Sequence, residues 1–193
     1  MESLDVNAAA VRPTNKIKLL VLTGPTRAGK HTLSEYIKSK YNYEDIYTYS
    51  TDIISGLNCI KVEPEQFVSY LEKGDCTDYT LYEDGTECCV TPLSFVKDKM
   101  VYVTKPSNIT WINSNLHRDL YDIKIIYCHC PTAELERRAM LDGINRSVFR
   151  TTYYSELMTM LQFEKHGKWD LHLDCTLPVE EVFSLFDEWY VSS

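Results

Sequence analysis

The stretch from Lys18 to Leu33, KLLVLTGPTRAGKHTL, decides the fold. Ile17 to Thr23 is a short, mostly apolar run, the pattern of a strand buried on both faces of a parallel sheet. From Lys30 onward Leu33, Tyr36, Ile37 and Tyr41 fall at helical spacing. Between strand and helix, Gly24, then Pro25, Thr26, Arg27 and Ala28, then Gly29 and Lys30 match the G-x-x-x-x-G-K of a phosphate-binding loop. Such a loop needs glycine where the backbone approaches an anion, wraps its N–H groups around phosphate and neutralises the charge with a lysine ammonium. One letter departs from the pattern: His31 stands where a Ser or Thr belongs. An imidazole does not replace that hydroxyl on magnesium, which prefers oxygen and keeps several of its own waters. Thr32 supplies a hydroxyl one residue later and is the candidate Mg²⁺ ligand, while His31 reads as a solvent-facing residue of the first helical turn. The predicted cradle runs from Gly24 to Thr32 and suits the tail of a nucleoside triphosphate, with Arg27 adding local positive charge.

The 193 residues suit one domain, residues 16–193, behind a flexible tail, residues 1–15. A formal charge of −8 disfavours a nonspecific grip on nucleic acid, so small-molecule or protein partners are expected first. The tail has no apolar core preceded by positive charge, and no apolar run approaches ~18 residues, so no membrane partner is expected and the cytoplasm is the expected location. Seven cysteines, an odd number without a C-x-x-C pair, read as reduced intracellular thiols. Strand alternation splits the CHC group at 128–130, which argues against a metal site there.

Further along, Asp45 to Thr51 reads as a second short strand, and EPEQFVSYLEKGDC as a short helix stopped at Gly74. DYTLYEDGTECCVTP reads as a hairpin turning at Gly85. KMVYVTKP and YDIKIIYCHC are core-type strands separated by a polar stretch around Trp111. A charged helix, a break at Gly143 and a long helix follow, then the strand WDLHLDC and a last amphipathic helix with Val182, Phe183, Phe186 and Trp189 or Tyr190 inward. Strands alternating with helices imply an α/β sandwich on a mostly parallel sheet.

These segments resemble the guanylate kinase family from about Lys16 to Trp189. LLVLTGPTRAGKHTL is similar to the family's G-P-S-G-A-G-K-S-T-L, VEPEQFVSYLEKGDCTDYTLYEDGTECCVTP to its nucleotide-acceptor segment, IIYCHCPTAELERRAM to its F-I-x-P-P-S-L-E-E-L-E-x-R-L, and WDLHLDCTLPVEEVFSLF to its closing strand and helix. The spelling G-K-x-T also resembles the G-K-G-T of adenylate kinases. The resemblance implies a P-loop NTPase three-layer α/β sandwich with a small β-rich acceptor-binding insertion, residues 45–92, and a helical lid near 137–150, the core being 16–44 and 93–193. It implies ATP and Mg²⁺ as cofactors and nucleotide substrates, the γ-phosphoryl passing from ATP to GMP or a related monophosphate. Carried over by position, Gly24, Gly29, Lys30 and Thr32 hold the ATP phosphates, Arg137 and Arg138 open the lid, and Arg146 or Arg150 enters from the next helix. Fixed guanidiniums suit a reaction that spreads charge over equatorial oxygens, although pairing with Glu134 or Glu136 explains the same residues as helix surface charge.

The acceptor side departs from the family. Thr48 and Thr51 align with S-x-T-T-R, but Asp52 stands at the acceptor-phosphate arginine, and Asn58 and Cys59 replace an Asp-Tyr pair. Asp78 falls where a glutamate reads guanine and Thr91 where a hydroxyl assists, while Cys88 and Cys89 replace tyrosines. VYVTKPSN lacks two aspartates expected after the third strand. Each charge-assisted bond to phosphate contributes roughly 1.5–3 kcal/mol, so three or four losses cost many orders of affinity. Two readings follow: a divergent, fast-evolving kinase, as in a virus, with Asp52 and Asp78 reading sugar or base; or an inactive kinase-like module whose acceptor cleft takes a protein or other ligand. The retained Lys30 favours the first and the rewritten acceptor site the second.

Overall fold

The computed structural model describes residues 16–53, 59–81, 85–95, 97–106, 108–116, 118–166 and 168–193. Five strands form one all-parallel sheet in the order β2 (Glu44–Asp45), β7 (Lys99–Thr104), β1 (Ile17–Thr23), β8 (Tyr121–His129) and β9 (Leu171–Asp174). With a neighbour on each side, β1 must be apolar on both faces, as its sequence predicts. Leu20 and Leu22 face a core built with α1 (Lys30–Tyr41), α4 (Thr132–Leu141), the start of α5 (Arg146–His166) and α6 (Val179–Ser192). Leu19 and Val21 face the opposite core, closed by Ile109, Ile112 and Leu116 in and after α3 (Asn108–Asn115). The 24–32 loop therefore springs from the middle strand of a three-layer α/β sandwich.

The tyrosines of the first helix form the seam between α1 and α6. Tyr36 stacks on Phe183 with centroids 3.9 Å apart, and Asp187 accepts hydrogen bonds from Tyr36 (2.6 Å) and Tyr41 (2.7 Å) while pairing with Lys40. Val182 and Phe186 are buried and Phe183, Trp189 and Tyr190 pack beside them, as the amphipathic pattern requires.

A second, four-stranded sheet runs β4 (Cys59–Lys61), β3 (Thr48–Ser50), β6 (Glu87–Val90) and β5 (Thr77–Leu81), with α2 (Pro64–Glu72) packed on it through Phe67 and Tyr70. The single strand expected over Asp45–Thr51 is thus two strands in two sheets. Ile46 still donates to Val101 of the large sheet (3.1 Å), and the chain leaves at Tyr47, whose carbonyl accepts from Ser94 (2.9 Å). The hairpin forms as β5 and β6 in antiparallel pairing, and the polar stretch around Trp111 is the helix α3, an element its composition concealed.

The reading of all seven cysteines as free thiols is corrected: Cys76 and Cys89 form a disulfide, their Cα atoms 5.6 Å apart. The cause is local: β5 and β6 pair as neighbours, and Gly74, at φ 69°, turns the chain from α2 so that Cys76, the residue before β5, lies near Cys89 of β6. Cys59, Cys88, Cys128, Cys130 and Cys175 stay outside any disulfide among the described residues. Closing a loop of this length contributes about 2–3 kcal/mol. Cys76→Ser is therefore expected to lower the thermal midpoint, and a reductant is expected to do the same to the wild type but not to the variant.

Candidate active site

The loop after β1 takes the shape its glycines permit. Gly24 (φ 142°), Arg27 (φ 71°) and Gly29 (φ 98°) all have positive φ, and the loop closes on itself through Ala28 N–H to the Pro25 carbonyl (3.1 Å). Gly24 is pressed against the neighbouring strand, so a Cβ there would lie 2.3 Å from the Cys128 carbonyl oxygen. Gly29 is the N-cap of α1, no side chain caps that helix, and its first turn holds no acidic residue. This helix start therefore presents positive dipole and main-chain donors at the loop. Lys30 is buried, and its Nζ donates to the carbonyls of Gly24 (2.9 Å) and Pro25 (2.6 Å), which fixes a positive charge inside the loop. His31 and Thr32 lie at the surface on the first turn of α1. The burial that the His31 ring has, with the adjacent Lys30, holds its imidazole below the ordinary histidine value, which favours the neutral form.

Two thiols support the loop from below. Cys128 backs Gly24, and Cys175 Cβ lies 4.0 Å from where a Gly29 Cβ would be. A side-chain hydrogen bond between them pushes Cys128 up, with burial adding to the shift, and pulls Cys175 down.

The four candidate arginines separate into different roles. Arg138 reaches the loop itself: Nη1 donates to the Arg27 carbonyl (3.1 Å), Nη2 to the Cys175 carbonyl (2.6 Å) and Nε to Glu134 (2.9 Å). Arg137 forks onto both oxygens of Glu134 (2.7 Å each) at the surface. Arg146 and Arg150 both engage Glu136 (3.0 and 3.1 Å), tying α5 to α4. Arg137 and Arg138 hold the Glu134 carboxyl down at about 2. In this arrangement Arg138 braces the loop. Arg138→Ala is expected to cost about 1–2 kcal/mol, since two carbonyls lose a charged donor, and to appear as a lower thermal midpoint that Arg138→Lys only partly restores.

The candidate acceptor residues lie on or beside the second sheet. Thr48 is half-buried on β3, and Thr51 ties β3 to β6 by donating its N–H to the Glu87 carbonyl and accepting from Glu87 N–H (3.0 Å each). Asp52, exposed, accepts from Ile53 N–H (2.8 Å) and from Lys61 (3.0 Å), and these two partners hold its carboxyl below the usual range. The Thr91 hydroxyl is fully buried and without a partner among the described residues, as is that of Thr23 at the end of β1. Asp78 lies on β5, with its side chain outside the described residues, as Asn58 is altogether.

One electrostatic feature escapes a motif-by-motif reading. Between Arg27 and Arg118 the sequence has no arginine, and residues 45–92 carry ten Asp and Glu against Lys61 and Lys73. The whole net charge of −8 therefore resides in the segment expected to grip an acceptor anion. Counting charge by segment finds it in the sequence. The thiol pair and the reach of Arg138 to the loop carry no sequence signal, because strand pairing brings them together.

Among the described residues no helix is long and apolar enough to cross a membrane. No protein-family model and no curated protein sequence matches the chain. Among solved structures it is similar to the guanylate kinase from Anaplasma phagocytophilum, with a TM-score of 0.54 and 15% identity over 92% of this chain and 86% of that one. The chain has an α/β fold resembling that of the guanylate kinases, with a mostly parallel central sheet.

Proposed function

We propose that the chain binds ATP at residues 24–32 and transfers its γ-phosphoryl group to a nucleoside monophosphate, GMP, dGMP or an altered acceptor, in the cytoplasm. The observation that carries this reading is the buried Lys30 ammonium, seated inside a loop with three positive-φ residues at the uncapped start of α1. Main-chain donors and the Lys30 charge suit the β- and γ-phosphates, and the burial of that charge strengthens its pull on an anion. In the transfer, the bond from the γ-phosphorus to the β,γ-bridging oxygen breaks and one to an acceptor phosphate oxygen forms, yielding ADP and a nucleoside diphosphate. Thr32 gives Mg²⁺ a surface hydroxyl oxygen beside the loop, the hard donor that His31 lacks. When bound, the ion neutralises phosphate charge. Thr48, Thr51, Asp52, Asp78 and Thr91 are the proposed acceptor contacts. The buried Thr91 hydroxyl, without a partner among the described residues, supports that choice, having a hydrogen bond to give.

The charge of residues 45–92 favours a second reading, in which the acceptor cleft takes a cationic partner and turnover is lost. Thermal unfolding with MgATP, then with a panel of monophosphates, separates the two. A rise in midpoint with MgATP and diphosphate formation with one acceptor supports the kinase. Silence toward every nucleotide overturns it and leaves the module.

A further inference from the structure

Arg27 stands inside the phosphate loop at φ 71°, a conformation uncommon for a residue with a Cβ, and α4 holds it there by two contacts. Arg138 takes its carbonyl (3.1 Å), and its Nη1 pairs with Asp142, the C-cap of α4, where the chain turns through Gly143 into α5. The guanidinium is incompletely used: Arg27 Nε is buried and without a partner among the described residues. The Asp142 side chain is 60% exposed, whereas that of Arg27 is 21% exposed. A guanidinium has five donors in a fixed fork that fits a tetrahedral phosphate. One exposed carboxylate holds it weakly, since such pairs contribute little in water, whereas a polyphosphate brings several charges to the mouth of the same loop.

We propose that Asp142 is a positioning residue that holds Arg27 off the phosphate cradle, and that a bound polyphosphate takes the guanidinium over, freeing the α4–α5 junction from the loop. The inference rests on the nucleotide reading above and deepens it. Breaking the Arg27–Asp142 pair is part of the free energy of binding, so the latch lowers apparent affinity by the fraction of molecules it holds closed. Removing the carboxylate removes that penalty without touching the phosphates.

Titration calorimetry of the full chain with inorganic tripolyphosphate, and separately with MgATP, at low and at high salt, tests this. D142N is expected to tighten tripolyphosphate about two- to fivefold at low salt, the range of an exposed ion pair, and less at high salt. R27G is expected to weaken binding about tenfold and to abolish the gain from D142N, while R27K restores only part of the loss. Unchanged or weaker binding by D142N overturns the proposal. So does an equal gain from D142N in the R27G background, which assigns the effect to direct repulsion between Asp142 and phosphate. Binding that Lys30→Ala abolishes but that shows no coupling between positions 27 and 142 overturns the latch alone. No binding by the wild type or any variant, with thermal midpoints showing them folded, overturns the nucleotide reading and the latch with it.

Discussion

Lys30→Ala is expected to reduce ATP-dependent diphosphate formation about a thousandfold and to erase the thermal shift with MgATP. Its ammonium is the buried cation of the loop, and two or more charge-assisted bonds to transferring phosphate contribute roughly 1.5–3 kcal/mol each. The same nitrogen bridges the Gly24 and Pro25 carbonyls, so the variant also loosens the loop. Circular dichroism and the thermal midpoint without ligand separate the effects: a small loss of stability with a large loss of transfer is the expected pattern. Retained turnover in a folded Lys30→Ala protein would remove the basis for placing the triphosphate here.

A methyl group at position 24 is expected to do more damage to the fold than any other change in the loop. Gly24→Ala brings its Cβ to 2.3 Å from the Cys128 carbonyl oxygen, a backbone atom in a strand paired on both sides, and does so at φ 142°, where an L side chain is strained. Neither partner yields cheaply, because β1 and β8 are locked in register from Ile17 against Tyr121 to Thr23 against Tyr127. A cost of about 4 kcal/mol or more follows, and for a chain of this size the midpoint falls by roughly ten degrees. Gly29→Ala is the control: its new Cβ meets only Cys175 Cβ at 4.0 Å, leaving the strain of φ 98° alone. If the two variants unfold at the same temperature, the close approach of β1 and β8 at this point is not what selects glycine.

Where a segment's partners lie close in the chain, or its periodicity is strong, the sequence announces it. β1 and α1 are legible because a doubly buried strand runs apolar without interruption and an amphipathic helix repeats every three or four residues. The loop between them is legible because only glycine tolerates the approach to Cys128. The break between β2 and β3 has no such signature: Ile46 and Tyr47 continue a strand pattern, and only the competition of two sheets for the chain ends it. α3 is hidden because its buried anchors, Ile109 and Ile112 with Leu116 just after the helix, are spread through asparagine, serine and threonine. At the site, residue types in the loop announce themselves, whereas Arg138, Cys175 and Asp142 acquire their roles through folding. Arg138 is 111 residues from the carbonyl it grips, a separation no local pattern records.

Hanging the loop from β1 while β3, β4, β5 and β6 form a sheet of their own divides the molecule's resistance to opening. Amides of β1, shielded by a strand on either side, are expected to exchange their hydrogens only when most of the molecule comes apart, whereas the smaller sheet, stapled by a single sulfur bridge and edged on one side by the three-residue β4, is expected to open at lower cost. The smaller sheet can thereby rearrange while the strand that carries the 24–32 loop keeps its place.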